Sequence, residues 1–599
     1  MLKARLVPTP LVQGARPPIT IVPVKRPGRF SGLRLLGRLW IFLVKFYWDK
    51  LRQRGDVATR AQAARELLES MGGLWIKAGQ LLSLRTDVLS REMADELSSL
   101  TYQAQGFAPE IARTVVETAL GKPLEAVFDH WEEMPFAAAS ISQVHRARLR
   151  KNGRWVAVKV QRPGIQEIFA RDLGLISGIL RRMHYIPGLQ FITWDGMVRE
   201  LERMMGEEID YRYEAANMRR MRKLLRKHNV YVPKPYRRLC TQHIIVMEFI
   251  PGVLMTDYLT TNRNDPARVQ SWCQANNIEP RKVGSRLMRS FYRQLFEDNL
   301  FHGDLHPGNI MLLRDSRFAL IDLGTVGNLE ARFVRTYRNV VRAFSEGDYT
   351  KSVEYYVTLA DSIPPVDLTA YRVEMVEVLR EWEARSHLDG MSFYERSFTG
   401  GAATALSEVA RKYRINPSWQ LLRVARSLNT MDANVSVLLG NANPRSITRT
   451  YFKQATKRAL QRLRKNGLQR AVSGISEIGD NASILSDMIR RQAIVFQGVQ
   501  SKLSYVLGIV MNVVRMTLIA TGLFFLYRFL HYYHYNLVAG IHNSESWLGQ
   551  FVEQMPVPDY GLAILSLILI VALVIIAGRL HRRLSAPTVR LPDGRLDKA

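Results

Sequence analysis

Phe301-His302-Gly303-Asp304-Leu305-His306-Pro307-Gly308-Asn309-Ile310 sets an acid, Asp304, and an amide, Asn309, five residues apart in a loop that contains Gly and Pro. Gly and Pro let this backbone turn sharply, so both side chains can face one spot. A second acid, Asp322, follows in Leu320-Ile321-Asp322-Leu323-Gly324, at the end of a short apolar run. Phosphoryl transfer from a nucleotide needs parts of this kind. One carboxylate orients or deprotonates the attacking hydroxyl or water, and an amide oxygen with a second carboxylate holds Mg²⁺ on the phosphates. The competing reading is a surface loop that carries His, Asp and Asn without a role.

Upstream motifs weigh against that alternative. Phe136-Ala137-Ala138-Ala139-Ser140-Ile141-Ser142-Gln143 is a run of small residues ahead of two β-rich stretches, 144–149 and 155–160, with the hairpin signal Asn152-Gly153 between them. Ala137, Ala138, Ala139 and Ser140 would let backbone approach a ligand's phosphates, in a stiffer loop than a glycine-rich one. Lys159, among apolar strand residues, needs a partner. A nucleotide phosphate together with a helix Glu would serve, and Glu214, in the helical region 165–225, is the candidate. The alternative is a lysine on an exposed strand face. Glu208 and Asp210 form a further acidic pair, which could also be a solvated helix face. Residues 59–83 read as one helix in which Lys77 and Gln80, three apart, share a face.

Further on, 237–252 reads as a β-hairpin ending at Pro251-Gly252, a hinge signal. A helix over 280–298 precedes the opening loop. Two short strands, 310–313 and 317–321, follow it with a turn at Asp315-Ser316, and helical periodicity dominates 330–500.

The chain has 599 residues, enough for two or more domains, and is 47% hydrophobic and 23% charged. Its formal net charge of +30 calls for a polyanionic partner. Zinc-finger spacing and RNA-binding aromatic signatures are missing, so the expected partner is an anionic membrane surface and not nucleic acid. Two cysteines, Cys240 and Cys273, exclude a disulfide scaffold.

Residues 1–30 carry Pro8, Pro10, Pro17, Pro18, Pro23 and Pro27 and read as a disordered arm without the apolar core of a signal peptide. Residues 33–52 read as an amphipathic helix. Arg34, Arg38, Lys45, Asp49 and Arg52 fall within roughly 60° on a wheel of about 100° per residue, opposite a surface rich in Leu, Trp and Phe. Such a helix lies in a membrane interface or packs on the protein's own core. At the other end, residues 561–578 are eighteen residues without a charge, near the roughly 20 that span a bilayer. Residues 503–527 are apolar apart from Arg515. Basic residues flank the pair and the 529–558 connection has no Lys or Arg, which places both ends in the cytoplasm.

Taken together, Lys77-Ala78-Gly79-Gln80, the Ala137–Ser140 run, Lys159, Glu208-Ile209-Asp210, Glu214, Asp304, Asn309 and the Asp322-Leu323-Gly324 triplet resemble the UbiB family of atypical protein-kinase-like proteins over roughly residues 60–450. The resemblance implies an α+β, two-lobed protein-kinase-like fold with an N-terminal helical extension and a C-terminal transmembrane helical hairpin. The expected boundaries are 1–58 for arm and basic helix, 59–130 for the KxGQ extension, 131–250 for the N-lobe, 251–500 for the C-lobe, 501–583 for the two spans and 584–599 for a tail. Asp304, Lys77 and Gln80 would be catalytic. Ala137, Ala138, Ala139, Ser140, Lys159, Glu214, Glu208 and Asp210 would line the ATP site, and Asn309 and Asp322 would hold Mg²⁺. The implied activity is Mg-ATP binding with hydrolysis or restricted phosphotransfer, in support of isoprenoid-quinone synthesis at the cytoplasmic membrane. Expected partners are anionic lipids, quinone-pathway lipid intermediates or enzymes, and a second copy of the chain. Two other readings stand beside it: a small-molecule phosphotransferase of the aminoglycoside or choline kinase type, and a nucleotide-switched lipid-binding scaffold without catalysis.

Overall fold

The computed structural model describes residues 4–465, except 13–18, 25–27, 29–30, 52–55, 86–88, 101–104, 140, 184–193, 365 and 389. Beyond 465 it describes 510, 513–523, 525–530, 532, 550, 554, 561 and 568–575. Two compact units result: residues 1–363 with 367–466, and residues 467–599 with 364–366.

The first unit opens with α1 (Ser31–Leu51), α2 (Val57–Met71), α3 (Gly73–Ser83) and α4 (Arg91–Ser98). The single helix expected over 59–83 is two helices. Asp56 caps α2 by accepting from Thr59 N at 2.8 Å, and Gly72 (φ 69°, ψ −168°) ends it. That conformation belongs almost solely to glycine, and Gly73 follows at φ 49°. The break re-aims α3, whose face Leu74, Trp75, Ala78 and Leu81 packs against Phe169, Ile176 and Leu201. Along α1, Leu35, Leu39 and Phe42 are half-buried, while Leu33, Trp40, Ile41, Val44 and Trp48 are exposed.

A five-stranded antiparallel sheet follows. Helix α5 (Pro109–Leu120) and the one-turn α6 (Leu124–Val127) lead into β1 (Phe128–Trp131), β2 (Ala137–Ala138), β3 (Ser142–Leu149) and β4 (Trp155–Gln161). Strand β5 (Ile244–Glu248) closes the order β1-β3-β4-β5, and β2 pairs with β3. Gly153 at φ 62° makes the β3–β4 turn, as Asn152-Gly153 predicts. Between β4 and β5 lie α7 (Ile165–Met183), α8 (Trp194–Ile209) and α9 (Tyr211–Leu225). The hairpin expected over 237–252 has only one strand. Its first arm is the 3₁₀ turn Arg237–Leu239, and β5 pairs with β4 instead.

After Pro251-Gly252 the chain is mainly helical: β6 (Val253–Leu254), α10 (Met255–Asn264), α11 (Pro266–Ala275) and α12 (Pro280–Arg293). Strands β7 (Phe301–His302), β8 (Ile310–Leu313), β9 (Arg317–Leu320) and β10 (Val326–Gly327) frame the loop that carries Asp304 and Asn309. Asp315 (φ 60°) and Ser316 (φ 55°) turn β8 into β9, as a two-residue hairpin turn demands. Helices α13 (Ala331–Glu346), α14 (Tyr349–Val357), α15 (Leu368–Ser386), α16 (Phe393–Arg396), α17 (Ala403–Lys412), α18 (Trp419–Leu439) and α19 (Pro444–Lys465) complete the unit, with β11 (Ala360–Ser362) paired to β12 (Asn416–Pro417).

The arm expected to be disordered is ordered where it is described. Leu6 and Leu11 are buried, and Ile21 forms a parallel bridge with Gly106. Proline forbids a helix here but not an extended segment whose polar groups find partners elsewhere.

In the second unit, Val513–Leu530 is long and apolar enough to cross a membrane by length and composition. Most of the second expected span lies outside the described residues. Its residues 568–575 are helical, and Ile570 lies against Gly522, where an added Cβ would sit 3.1 Å from its Cγ2.

Gly72→Ala is expected to cost about 1–3 kcal/mol, the strain of its backbone conformation. Gly174→Ala, inside α7 with open space around it, should be neutral or stabilise by up to about 1 kcal/mol. Thermal unfolding of the two variants in detergent checks the contrast.

Candidate active site

Strand β4 buries Val156, Val158 and Val160 completely, in a cluster with Phe107 and Val116. Side chains alternate along a strand, so Lys159 faces the other way, toward α9. There Glu214 is buried, with its side chain only 2% exposed. Lys159 Nζ donates to Glu214 Oε2 at 3.0 Å and Oε1 at 3.2 Å. It also donates to Asp322 Oδ2 at 3.1 Å, and lies 5.3 Å from the centre of the Tyr211 ring. One ammonium thus serves two carboxylates, and the two acids separate in acidity. Burial pushes Glu214 up to about 7, and the nearby Asp322 charge adds to the push against the pull of Lys159. For Asp322 burial also acts upward, but Lys159 and the Gly324 N–H outweigh it and hold the acid near 2. Asp322 Oδ1 accepts from Gly324 N at 2.9 Å, which fixes the carboxylate at the start of its turn.

The Asp304 loop is held by its backbone. Gly303 N donates to Thr325 O at 2.8 Å, Ser427 Oγ donates to Gly303 O at 3.0 Å, and Asn434 Nδ2 donates to Leu305 O at 2.6 Å. Gln294, in a π-turn at the end of α12, accepts from His302 N at 3.1 Å. His302 is buried, which lowers its basicity, and its Nδ1 accepts from Asp304 N at 3.1 Å. Asn309 Nδ2 donates to Asp304 O at 3.0 Å, tying both ends of the loop together. The carboxylate of Asp304 meets Arg426 of α18, Nη2 to Oδ2 at 3.3 Å.

Lys77 projects from α3 onto Glu208 at the end of α8, Nζ to Oε1 2.9 Å. Glu208 raises the lysine's basicity against burial; Asp304 acts in the same sense and Arg426 in the opposite one. Lys77 therefore stands among Glu208, Asp304 and Arg426. The other expected residues behave differently. Gln80 Nε2 donates to the Leu100 carbonyl at 2.9 Å, a bond that fastens α3 to the chain just after α4. On a helix, residues three apart diverge by about 60°, enough to send the shorter side chain to a different neighbour. Asp210 is also committed locally. It caps α9 by accepting from Arg212 N at 2.9 Å and pairs with the Arg212 side chain at 2.6 Å. Ala137 and Ala138 pair with Val144 and Gln143 as β2, and Ala139 N donates to Ser142 O at 2.8 Å. The alanine run is thus a tight hairpin and not an open loop, while Ser140 lies outside the described residues.

Sequence reading missed the α18 contribution. Arg426 is 122 residues from Asp304 in the chain. Arg423 of the same helix donates to Glu200 Oε2 at 2.6 Å, and Glu200 is also held by Arg203 at 2.6 Å. The available signal was Arg423, Arg426 and Ser427 at three- and four-residue spacing, one helical face. Among the described residues no cluster of three or more His, Cys, Asp or Glu is placed to hold a metal ion.

A family model of the ABC1 atypical kinase-like domain matches residues 99–356, a narrower stretch than residues 60–450. "Probable protein kinase UbiB" of Pasteurella multocida is 32% identical over 400 residues, 64% of this chain and 71% of that protein. The protein of the same description from Providencia stuartii is 33% identical over 318 residues, 52% of this chain and 56% of its own length. A solved structure, the Rv3197–erythromycin complex from Mycobacterium tuberculosis, aligns with a TM-score of 0.42 at 23% identity, over 63% of this chain and 92% of that one.

Two expectations follow from the geometry. Glu214 takes up a proton more readily folded than unfolded, since it is raised from 4.5 to about 7. Its contribution to stability is therefore complete below 4.5 and lost as pH rises through about 7. Unfolding curves at pH 4.5–8 should show wild type losing ground to Glu214→Gln across that interval. Asp210→Ala should cost about 0.5–2 kcal/mol of stability through the lost cap, which thermal unfolding of the variant beside wild type measures.

Proposed function

The chain belongs to the UbiB family of ABC1 atypical kinase-like proteins, and on that premise we propose that it is a membrane-anchored Mg-ATP-dependent atypical kinase or ATPase supporting ubiquinone synthesis. The observation that carries this reading is the Lys159–Glu214–Asp322 cluster beside the Asp304 loop. A lysine held ready by a helix glutamate is the part that receives nucleotide phosphates in kinase-like sites. The β2–β3 hairpin with Ala137, Ala138 and Ala139 would cover those phosphates with backbone.

The donor set fits Mg²⁺. The Asp322 carboxylate and the Asn309 amide oxygen are hard oxygen ligands, and a site with few protein ligands suits an ion that completes its shell with phosphate oxygens and water. The Asn309 nitrogen is committed to the Asp304 carbonyl, which leaves the amide oxygen for the ion. Bound there, Mg²⁺ would neutralise charge on the phosphates. Asp304 would orient the acceptor, and Arg426 fixes that carboxylate. Lys77 and its partner Glu208 stand beside Asp304, in the space a large acceptor would need. This crowding favours water or a small acceptor over a peptide.

For the membrane, the reading combines two features. Val513–Leu530 has the length and composition of a span, and the uncharged stretch 561–578 would supply a second, with both ends in the cytoplasm. The exposed ridge of α1, with Leu33, Trp40, Ile41, Val44 and Trp48 flanked by Arg34, Arg38 and Lys45, suits the headgroup region of an anionic bilayer. Quinone-pathway lipids or enzymes and a second copy of the chain are the remaining proposed partners.

Purified protein, with and without anionic liposomes, should turn over ATP only with Mg²⁺ and faster on the membrane. Asp304→Asn should reduce turnover by about 10²-fold or more. Lys77→Ala should admit autophosphorylation if that lysine blocks the acceptor space. Wild-type protein that binds ATP and never hydrolyses it on any membrane would overturn the enzymatic reading in favour of a nucleotide-switched scaffold.

A further inference from the structure

The proline-rich arm touches both lobes of the first unit. On the helical lobe, Arg314 N donates to Leu6 O at 3.0 Å. Thr9 is held on three sides: its N–H donates to Asn276 Oδ1 at 2.9 Å, its hydroxyl accepts from Asn276 Nδ2 at 2.8 Å, and its carbonyl accepts from Trp272 Nε1 at 2.7 Å. Arg268 Nη2 donates to Leu11 O at 2.5 Å, and the Leu11 side chain, 2% exposed, belongs to the same core cluster as Trp272, Leu287 and Phe318. Asn276 is completely buried and spends its amide on Thr9 and on the Trp272 carbonyl. The helical lobe therefore has a built receptor for residues 6–11.

On the sheet lobe, Gly106 N donates to Thr20 O at 2.9 Å and Val22 N donates to Gly106 O at 3.0 Å. A Cβ at Gly106 would sit 2.8 Å from Ile21 Cδ1 and 3.1 Å from Ile19 Cγ2, so this glycine lets the arm lie flat. Val24 packs on the cluster of Phe107, Val156, Val158 and Val246. Phe107 N in turn donates to Gln143 Oε1 of β3 at 2.8 Å. Residues 19–24 are thus joined to the sheet that carries Lys159.

We propose that the two docked segments, residues 4–12 and 19–24, consecutive in one chain, act as an intramolecular strap, a second tether between the lobes that limits how far they swing about Ile250-Pro251-Gly252. The chain from Val12 to Ile19 can span at most about 25 Å at full stretch. The hinge and the ion pairs across the cleft, Lys159–Asp322 and Arg423–Glu200, allow some swing, and a further tether of bounded length, anchored on each lobe, narrows it. The same arm leads directly into α1, whose start is held by Arg171 Nη1 donating to Ser31 Oγ at 2.9 Å. A load on α1 would therefore be felt at both lobes.

The test cuts the strap after the protein has folded. A specific protease sequence replaces part of residues 13–18 in the full-length chain. Spin labels are placed at two exposed positions, Lys151→Cys on the sheet lobe and Arg281→Cys on the helical lobe, in a Cys240→Ser, Cys273→Ser background. Expected on cleavage is a broader distribution of inter-label distances, with the uncut protein and an uncleavable control unchanged. A distribution that stays the same after complete cleavage would overturn the strap. No nucleotide enters this measurement, so its result is separate from whether the cleft binds ATP.

Discussion

One lysine ammonium shared by two carboxylates organises the candidate site of this molecule. Lys159 lies on β4, Glu214 on α9 and Asp322 in the turn after β9. These three elements come from distant parts of the chain, and the charge cluster needs all of them in place. A single positive charge cannot neutralise two buried acids, so one must be hard to ionise. Glu214, the more deeply buried, takes that role, and Asp322, with the more open side chain, stays charged. The division suits a site in which the open acid meets a cation and the buried one steadies the lysine.

The same economy of charge holds α3 over the site. The chain carries 84 Lys and Arg against 54 Asp and Glu, yet several arginines point inward and are spent on specific partners. Arg423 and Arg203 converge on Glu200, Arg426 on Asp304, and Arg85 Nη2 on Asn416 Oδ1 at 2.9 Å. Guanidinium groups suit this work because their planar donors satisfy a carboxylate or amide in a fixed direction. Lys77 reaches its place because Gly72 and Gly73 break the helix before it and Gln80 fastens the helix after it. The basic excess thus divides between interior fasteners and an exposed surface.

Features that depend on near neighbours in the chain were readable. The β3–β4 turn at Asn152-Gly153 and the turn at Asp315-Ser316 each follow from local backbone chemistry, and the structure has both. What escaped was decided at long range. A glycine pair inside an alanine- and leucine-rich stretch reads as a weak spot in one helix until the packing of α3 fixes its direction. That Asp210 caps α9 shows only once the chain is seen to break there. Gln80 shares a nominal face with Lys77, but Leu100 offers a carbonyl within reach. Arg426 shares a helical face with Arg423 and Ser427, but nothing local names its partner, which lies 122 residues away.

The arm shows how composition misleads when it is read alone. Six prolines in 30 residues exclude helix and remove hydrogen-bond donors, and a segment without internal bonds cannot order itself. It can be ordered by a host that supplies partners for its remaining carbonyls and N–H groups. Here Asn276, Trp272 and Arg268 supply them on one lobe and Gly106 on the other. Proline lowers the entropy that such docking must overcome, because its φ is already fixed. A proline-rich tail and a proline-rich strap therefore look alike in sequence, and the buried polar groups of the receiving surface distinguish them.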